Sequence, residues 1–185
     1  MPIPGIVASG ISGHLTAPSS FYSISTATVT SGGTTTITFS SIPSTYTHLQ
    51  IRCFTRSTAT GTDDNIYIQL NGSSASSYAW HRLLGDGASV TSGANSGTTL
   101  GLVSVTSAAT AGASIFGPSI IDILDYTNTN KNRTVRAIGG NDHNGGGYSS
   151  MQSFSYFNTT AVTSITVGTG AAFDQYSSIA LYGIK

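Results

Sequence analysis

The sequence predicts an all-β fold, an antiparallel two-sheet sandwich of jelly-roll or Greek-key type preceded by an extended N-terminal arm. Three observations lead there. The chain of 185 residues contains no Glu and only two Lys, Lys131 and Lys185, so it lacks the residues that build exposed helix faces. Short runs rich in Val, Ile, Thr, Tyr and Phe follow one another from residue 21 onward, the composition of half-buried strands. Clusters of Gly, Ser, Asn and Asp cut these runs at short intervals with no helical period between them, as in a sandwich.

Residues 1–20 read as the arm and 21–185 as one β-sandwich domain. Pro2, Ile3, Pro4, Ile6, Val7 and Ile11 alternate with Gly and small residues, which favours extended chain. No Lys or Arg precedes this apolar stretch and prolines interrupt it, so it is not expected to act as a signal peptide. It is expected instead to lie against its own domain or, as a subunit-contact arm, against a neighbouring copy.

The strand signals then run in order. Residues 22–29 form the first, ending at Ser31-Gly32-Gly33, and 35–42 the second, broken by Pro43. Over 46–56, Leu49, Ile51 and Cys53 point one way and Gln50, Arg52 and Phe54 the other. Over 65–70, Ile66, Ile68 and Leu70 alternate with Tyr67 and Gln69, before a turn at Asn71-Gly72. Residues 78–84 end at Gly85-Asp86-Gly87, and a loose Gly/Ser/Ala stretch leads to 98–105. Residues 113–116 and 119–126 read as one strand bent at Gly117-Pro118, joined through 127–132 to a hairpin partner at 133–138. The glycine-rich run 139–147 reads as a flexible loop. Strands at 148–157, 162–167 and 175–184 bring the total to about ten.

Charge narrows the function. The net charge is zero, with seven cations against seven Asp and no basic cluster, which argues against a nucleic-acid partner, where Lys and Arg must replace counterions. No apolar run approaches the 18 residues of a membrane span. One Cys cannot form an intrachain disulfide, and Cys53, between inward residues, reads as a buried small hydrophobe rather than a nucleophile. His14, His48, His81 and His143 are scattered without metal-ligand spacing. Asp63-Asp64-Asn65 offers oxygen ligands of the kind calcium takes, but reads better as a polar turn opening the next strand. No nucleophile elbow, phosphate loop or distinct carboxylate pair is present. The residues point away from an enzyme and imply no cofactor and no metal.

Two constellations remain. Asp122 and Asp125 before the 127–132 turn, with Arg133 and Arg136 after it, are expected to form cross-strand ion pairs that fix the hairpin register. Alternation sends Tyr78, Trp80 and Arg82 to one face of their strand. Aromatics beside an Arg suit either a core edge or a recognition surface that stacks on sugars.

The segments Ser41-Ile42-Pro43-Ser44-Thr45-Tyr46-Thr47-His48-Leu49-Gln50-Ile51-Arg52, Tyr78-Ala79-Trp80-His81-Arg82-Leu83, Ile121-Asp122-Ile123-Leu124-Asp125-Tyr126 and Ile179-Ala180-Leu181-Tyr182-Gly183-Ile184 resemble those of small virion structural proteins of tailed bacteriophages. The likeness runs from the Pro-Ile-Pro-Gly start to the last strand. It implies a β-sandwich component of the virion, a capsid decoration (cement) protein or a tail-associated module. A component of that kind is expected to contact copies of itself, as a trimer or other symmetric homo-oligomer, and other virion proteins. The likeness carries over no catalytic or metal residues. The alternative from the residues is a carbohydrate- or receptor-binding module of a tail fibre, recognising a host surface glycan.

Overall fold

The computed structural model describes residues 20–31 and 33–185, so the expected arm, with Pro2, Ile3, Pro4, Ile6, Val7 and Ile11, lies outside the described residues. The described chain has twelve strands and no helix: β1 (Phe21–Thr28), β2 (Thr34–Phe39), β3 (His48–Thr55), β4 (Asp63–Leu70), β5 (Tyr78–Gly85), β6 (Val90–Thr98), β7 (Gly101–Ser107), β8 (Gly117–Ile123), β9 (Arg133–Asp142), β10 (Gly147–Tyr156), β11 (Ile165–Phe173) and β12 (Ser178–Ile184).

They form two antiparallel sheets, one of eight strands in the order β1-β12-β3-β8-β9-β10-β5-β6 and one of four in the order β2-β11-β4-β7. Setting aside β5, β6, β9 and β10 leaves β1-β12-β3-β8 facing β2-β11-β4-β7. That order is what results when one long hairpin of nested pairs rolls up, the jelly-roll topology. Two further hairpins, β5–β6 and β9–β10, widen only the first sheet. The large sheet therefore outruns its cover.

Alternation sets what each strand contributes. Leu49, Ile51 and Cys53 of β3, Ile66, Ile68 and Leu70 of β4, Ile121 and Ile123 of β8 and Ile179 and Leu181 of β12 all turn inward into one buried cluster. Under the added strands the interior is divided between buried rings, Tyr78, Phe154 and Tyr156, at one end and small polar groups at the other. β7, buried along its whole length, packs against β8, β9 and β10, and Ser119 Oγ donates to Ser104 Oγ at 2.6 Å. Two buried arginines tie down irregular chain. Arg56 donates to the carbonyls of Ala109, Ala111, Gly112 and Ile115, and Arg133 to those of Lys131, Thr159 and Thr160. Backbone oxygens take the terminal nitrogens of both, and the Asp174 carboxylate meets Arg56 Nε at 3.3 Å, which removes much of the cost of burying them; Arg133 Nε has no hydrogen-bond partner among the described residues.

Several local expectations change. The Gly/Ser/Ala stretch after residue 87 is strand β6, held by its pairing with β5. The expected bent strand begins only at Gly117, and residues 113–116 are not extended. The expected turn at Asn71-Gly72 is there, with positive φ at both residues, and it joins β4 to a strand with which β4 does not pair. The run 139–147 is no flexible loop. Residues 139–142 complete β9, Gly147 opens β10, and only 143–146 turn between them. Its glycines answer to close approach: a Cβ on Gly139 would collide with Ser104 Oγ and Ser119 Oγ, and Gly147 holds a φ of +123° with Asn141 O where a Cβ would sit. Gly139→Ala is accordingly expected to destabilise the fold by about 1–3 kcal/mol through overpacking, read as a lower urea midpoint; an unchanged midpoint would contradict this packing.

Candidate functional site

The widened half of the large sheet has an outer face that nothing in the chain's described part covers. Register brings four aliphatic side chains into one row across it. Ile120 of β8 stands opposite Ile138 of β9, Ile138 opposite Met151 of β10, and Met151 opposite Leu83 of β5. Their exposures are 47%, 64%, 59% and 48%, although each strand already buries a set of the opposite parity. A parallel row one rung away is polar: Asp122, Arg136, Ser153 and His81 follow the same strands. Together with Ser92 and Ala94 of β6 the two rows line a groove of about 940 Å³. A smaller hollow of about 430 Å³ continues it past Ile120 and Ile138 toward Tyr148. Exposed apolar surface that is contiguous and rimmed by polar groups marks a site of contact.

Asp122 and Arg136 are register partners on this face, but the expected ion pair between them does not form: the carboxylate accepts instead from Gln50 Nε2 at 2.9 Å. Nor does the other expected pair form. Asp125 sits in the turn after β8 and bonds Lys131 Nζ, while its backbone NH donates to His48 Nδ1 at 3.0 Å. The hydrogen bond from Lys131, assisted by the charges of Lys131, His48 and Arg133, outweighs partial desolvation and holds the Asp125 carboxyl below its usual value. Arg133 turns into the core toward carbonyls, because inward parity at that position leaves it no exposed carboxylate.

Tyr78 belongs to the core rather than to a recognition surface. It is fully buried, with its ring 4.7 Å from that of Tyr156 and 5.9 Å from that of Phe154. Its hydroxyl accepts from Leu70 N at 3.0 Å, and burial pushes its pKa up to about 12. Trp80 packs half-buried against the same cluster, and Arg82 lies over its ring at 5.8 Å. This pair extends the core toward β6 on the covered side of the sheet, opposite the aliphatic row. Cys53 is buried and its thiol is pushed up to about 12 by burial, the condition of an inert cysteine.

A second cluster escaped the sequence because its members lie 80 positions apart. His143 Nε2 meets Asp63 Oδ1 at 2.7 Å, and Asn141 Nδ2 donates to the same oxygen at 2.5 Å. The cluster clasps the β9–β10 turn to the start of β4 in the other sheet. Asp64 beside it accepts from Ser57 Oγ at 2.6 Å and from Ala171 N at 3.3 Å, so both carboxylates of the 63–65 segment serve internal hydrogen bonds. Among the described residues no three His, Cys, Asp or Glu side chains gather as metal ligands would. The aliphatic row itself was hidden for a different reason. Each strand contributes one residue, and only register joins them; the available signal was Ile120 beside Ile121, a strand apolar on both sides.

Burial raises the Asp63 carboxyl, but hydrogen bonds from Thr62, His143 and Asn141 together hold it below its usual value. A carboxyl lowered in the folded state contributes stability above its unfolded pKa of about 3.9, lost as pH falls through the folded value. Thermal midpoints measured from neutral pH into this acidic range are expected to fall, and to fall less steeply in Asp63→Asn; identical slopes would contradict the clasp.

Comparison with family models, with curated proteins and with solved structures finds no match to this chain.

Proposed function

We propose that this chain is a non-enzymatic structural protein of a tailed-bacteriophage virion. Its place there is that of a capsid decoration (cement) protein or another surface-displayed component, and it acts through contacts with copies of itself and with other virion proteins. The observation that carries this reading is the row Ile120, Ile138, Met151 and Leu83, half exposed on a sheet that outruns its cover. Contiguous apolar surface of this kind gains roughly 25 cal/mol for each Å² removed from water. A free monomer of zero net charge has little electrostatic protection against association through it. An assembly covers the row permanently. The resemblance to phage virion proteins, spread over nearly the whole chain, supports the same reading, and a trimer is the homo-oligomer that reading favours.

The surface itself is Ser, Thr and Asn rather than long charged side chains, so polar contacts made there order few rotamers. The glycan-binding alternative would need an aromatic platform facing the ligand. Trp80 faces the covered side and the groove is floored by aliphatic side chains, which weighs against it.

Quantitative mass spectrometry of purified particles is expected to find the chain as a stoichiometric component, and its absence would overturn the proposal. Ile138→Asp, at a position 64% exposed, is expected to keep the thermal midpoint of the folded protein while losing attachment to particles. Normal attachment of that variant would show that the row is not the contact. A saccharide ligand found on a glycan array, and lost in Trp80→Ala, would favour the tail-fibre reading instead.

A further inference from the structure

The chain before Ser20 joins the described fold at β1, one edge of the eight-stranded sheet, whereas the groove lies over β8, β9, β10 and β5 and reaches β6, the opposite edge. On the same copy, β12 and β3 stand between the two. Their outer face is mixed, and its middle is taken by a cation: the Arg52 guanidinium lies 5.5 Å from the Phe21 ring and 5.4 Å from that of Tyr182, and Arg52 Nε donates to Gln50, while Phe54 stands exposed at one end. At about 4.8 Å per strand, the near end of the groove is roughly 14 Å across the sheet from β1. A second copy set head to tail, with its β6 edge beside this β1 edge, offers its groove after about one such spacing.

Both edges suit a neighbour. Neither Phe21–Thr28 nor Val90–Thr98 contains a charged residue or a proline, the devices that ordinarily keep edge strands apart. Length also fits. From β8 to β6 the groove crosses four strand spacings, about 19 Å, and the eight steps from Ile3 to Ile11 span about 26 Å when extended. The composition matches its target, with Ile3, Ile6, Val7 and Ile11 spaced along a segment that carries no charge.

We propose that copies of this chain associate head to tail, with residues 2–11 of one copy seated in the outer groove of the next against Leu83, Met151, Ile138 and Ile120. The inference rests on the assembly reading above and deepens it by naming the occupant of the groove. A contact of this heterologous type closes into a ring when the rotation between copies allows, and the trimer favoured above is then such a ring.

The test uses two full-length variants made separately, Ile6→Cys and Met151→Cys, which are mixed and treated with a short bis-maleimide. Met151 is exposed, whereas Cys53 stays buried and unreactive. The expected product joins one chain of each kind and is much more abundant in the mixture than in either variant alone. A cross-link confined to single chains of a doubly substituted protein, with none in the mixture, would show that each copy covers its own groove and would overturn the proposal. Absence of any cross-link would overturn it equally. Either failure leaves the virion reading standing if the chain is found on particles, and absence from particles counts against that reading whatever the cross-link shows.

Discussion

The pairing of β8 with β9 is the interaction on which the rest of the molecule depends. It joins the jelly-roll half of the large sheet to the four strands added beyond it, in a register that sets Ile121 against Ala137 and Ile120 against Ile138. The first pair turns into the core and the second turns out. A slip of β9 by one residue would exchange its two faces, burying Arg136 and Ile138 and exposing Val135 and Ala137. The same alternation that fills the core therefore builds the exposed row. Because β10 and β5 follow β9 in unbroken antiparallel register, the row extends across four strands once this single pairing is set.

A mismatch in sheet width shapes the inner face of that half. Four strands cannot cover eight, and β7 reaches only as far as β10 and β5 on the inner side. Where β7 approaches β8 and β9 the interior is made of the small groups of Gly139, Ser104 and Ser119, with Ser150 beside them, while at its other end Gly101 makes room for the Phe154 ring. The hairpins β5–β6 and β9–β10 make up this half. They are held by backbone pairing, by the clasp of His143 and Asn141 on Asp63, and by the Tyr78, Phe154 and Tyr156 cluster at their base.

The parts of this arrangement that follow from local pattern were legible in the sequence. Leu49, Ile51 and Cys53, and Ile66, Ile68 and Leu70, declare their inward face by strict alternation, and the absence of Glu already excluded helices. What escaped is what tertiary contact decides. Val90–Thr98 has no apolar alternation and is a strand because β5 offers it a partner, an instance of context overriding propensity. The glycines at 139 and 147 look like loop residues, yet they sit in paired strands where a side chain would strike a neighbour. Arg133 resembles a partner for Asp125, but its inward parity sends it to carbonyls. The exposed row needed the register of four strands before it could be seen.

The central claim is that the row on the large sheet is a surface buried by association. Met151 reports on it directly, since the residue stands 59% exposed in the middle of the row and a thioether oxidises at a rate set by access. Oxidative footprinting of Met151 in dilute free protein and in the assembled state measures that access. The account predicts rapid oxidation in the free protein and strong protection on assembly; equal rates in the two states would contradict it.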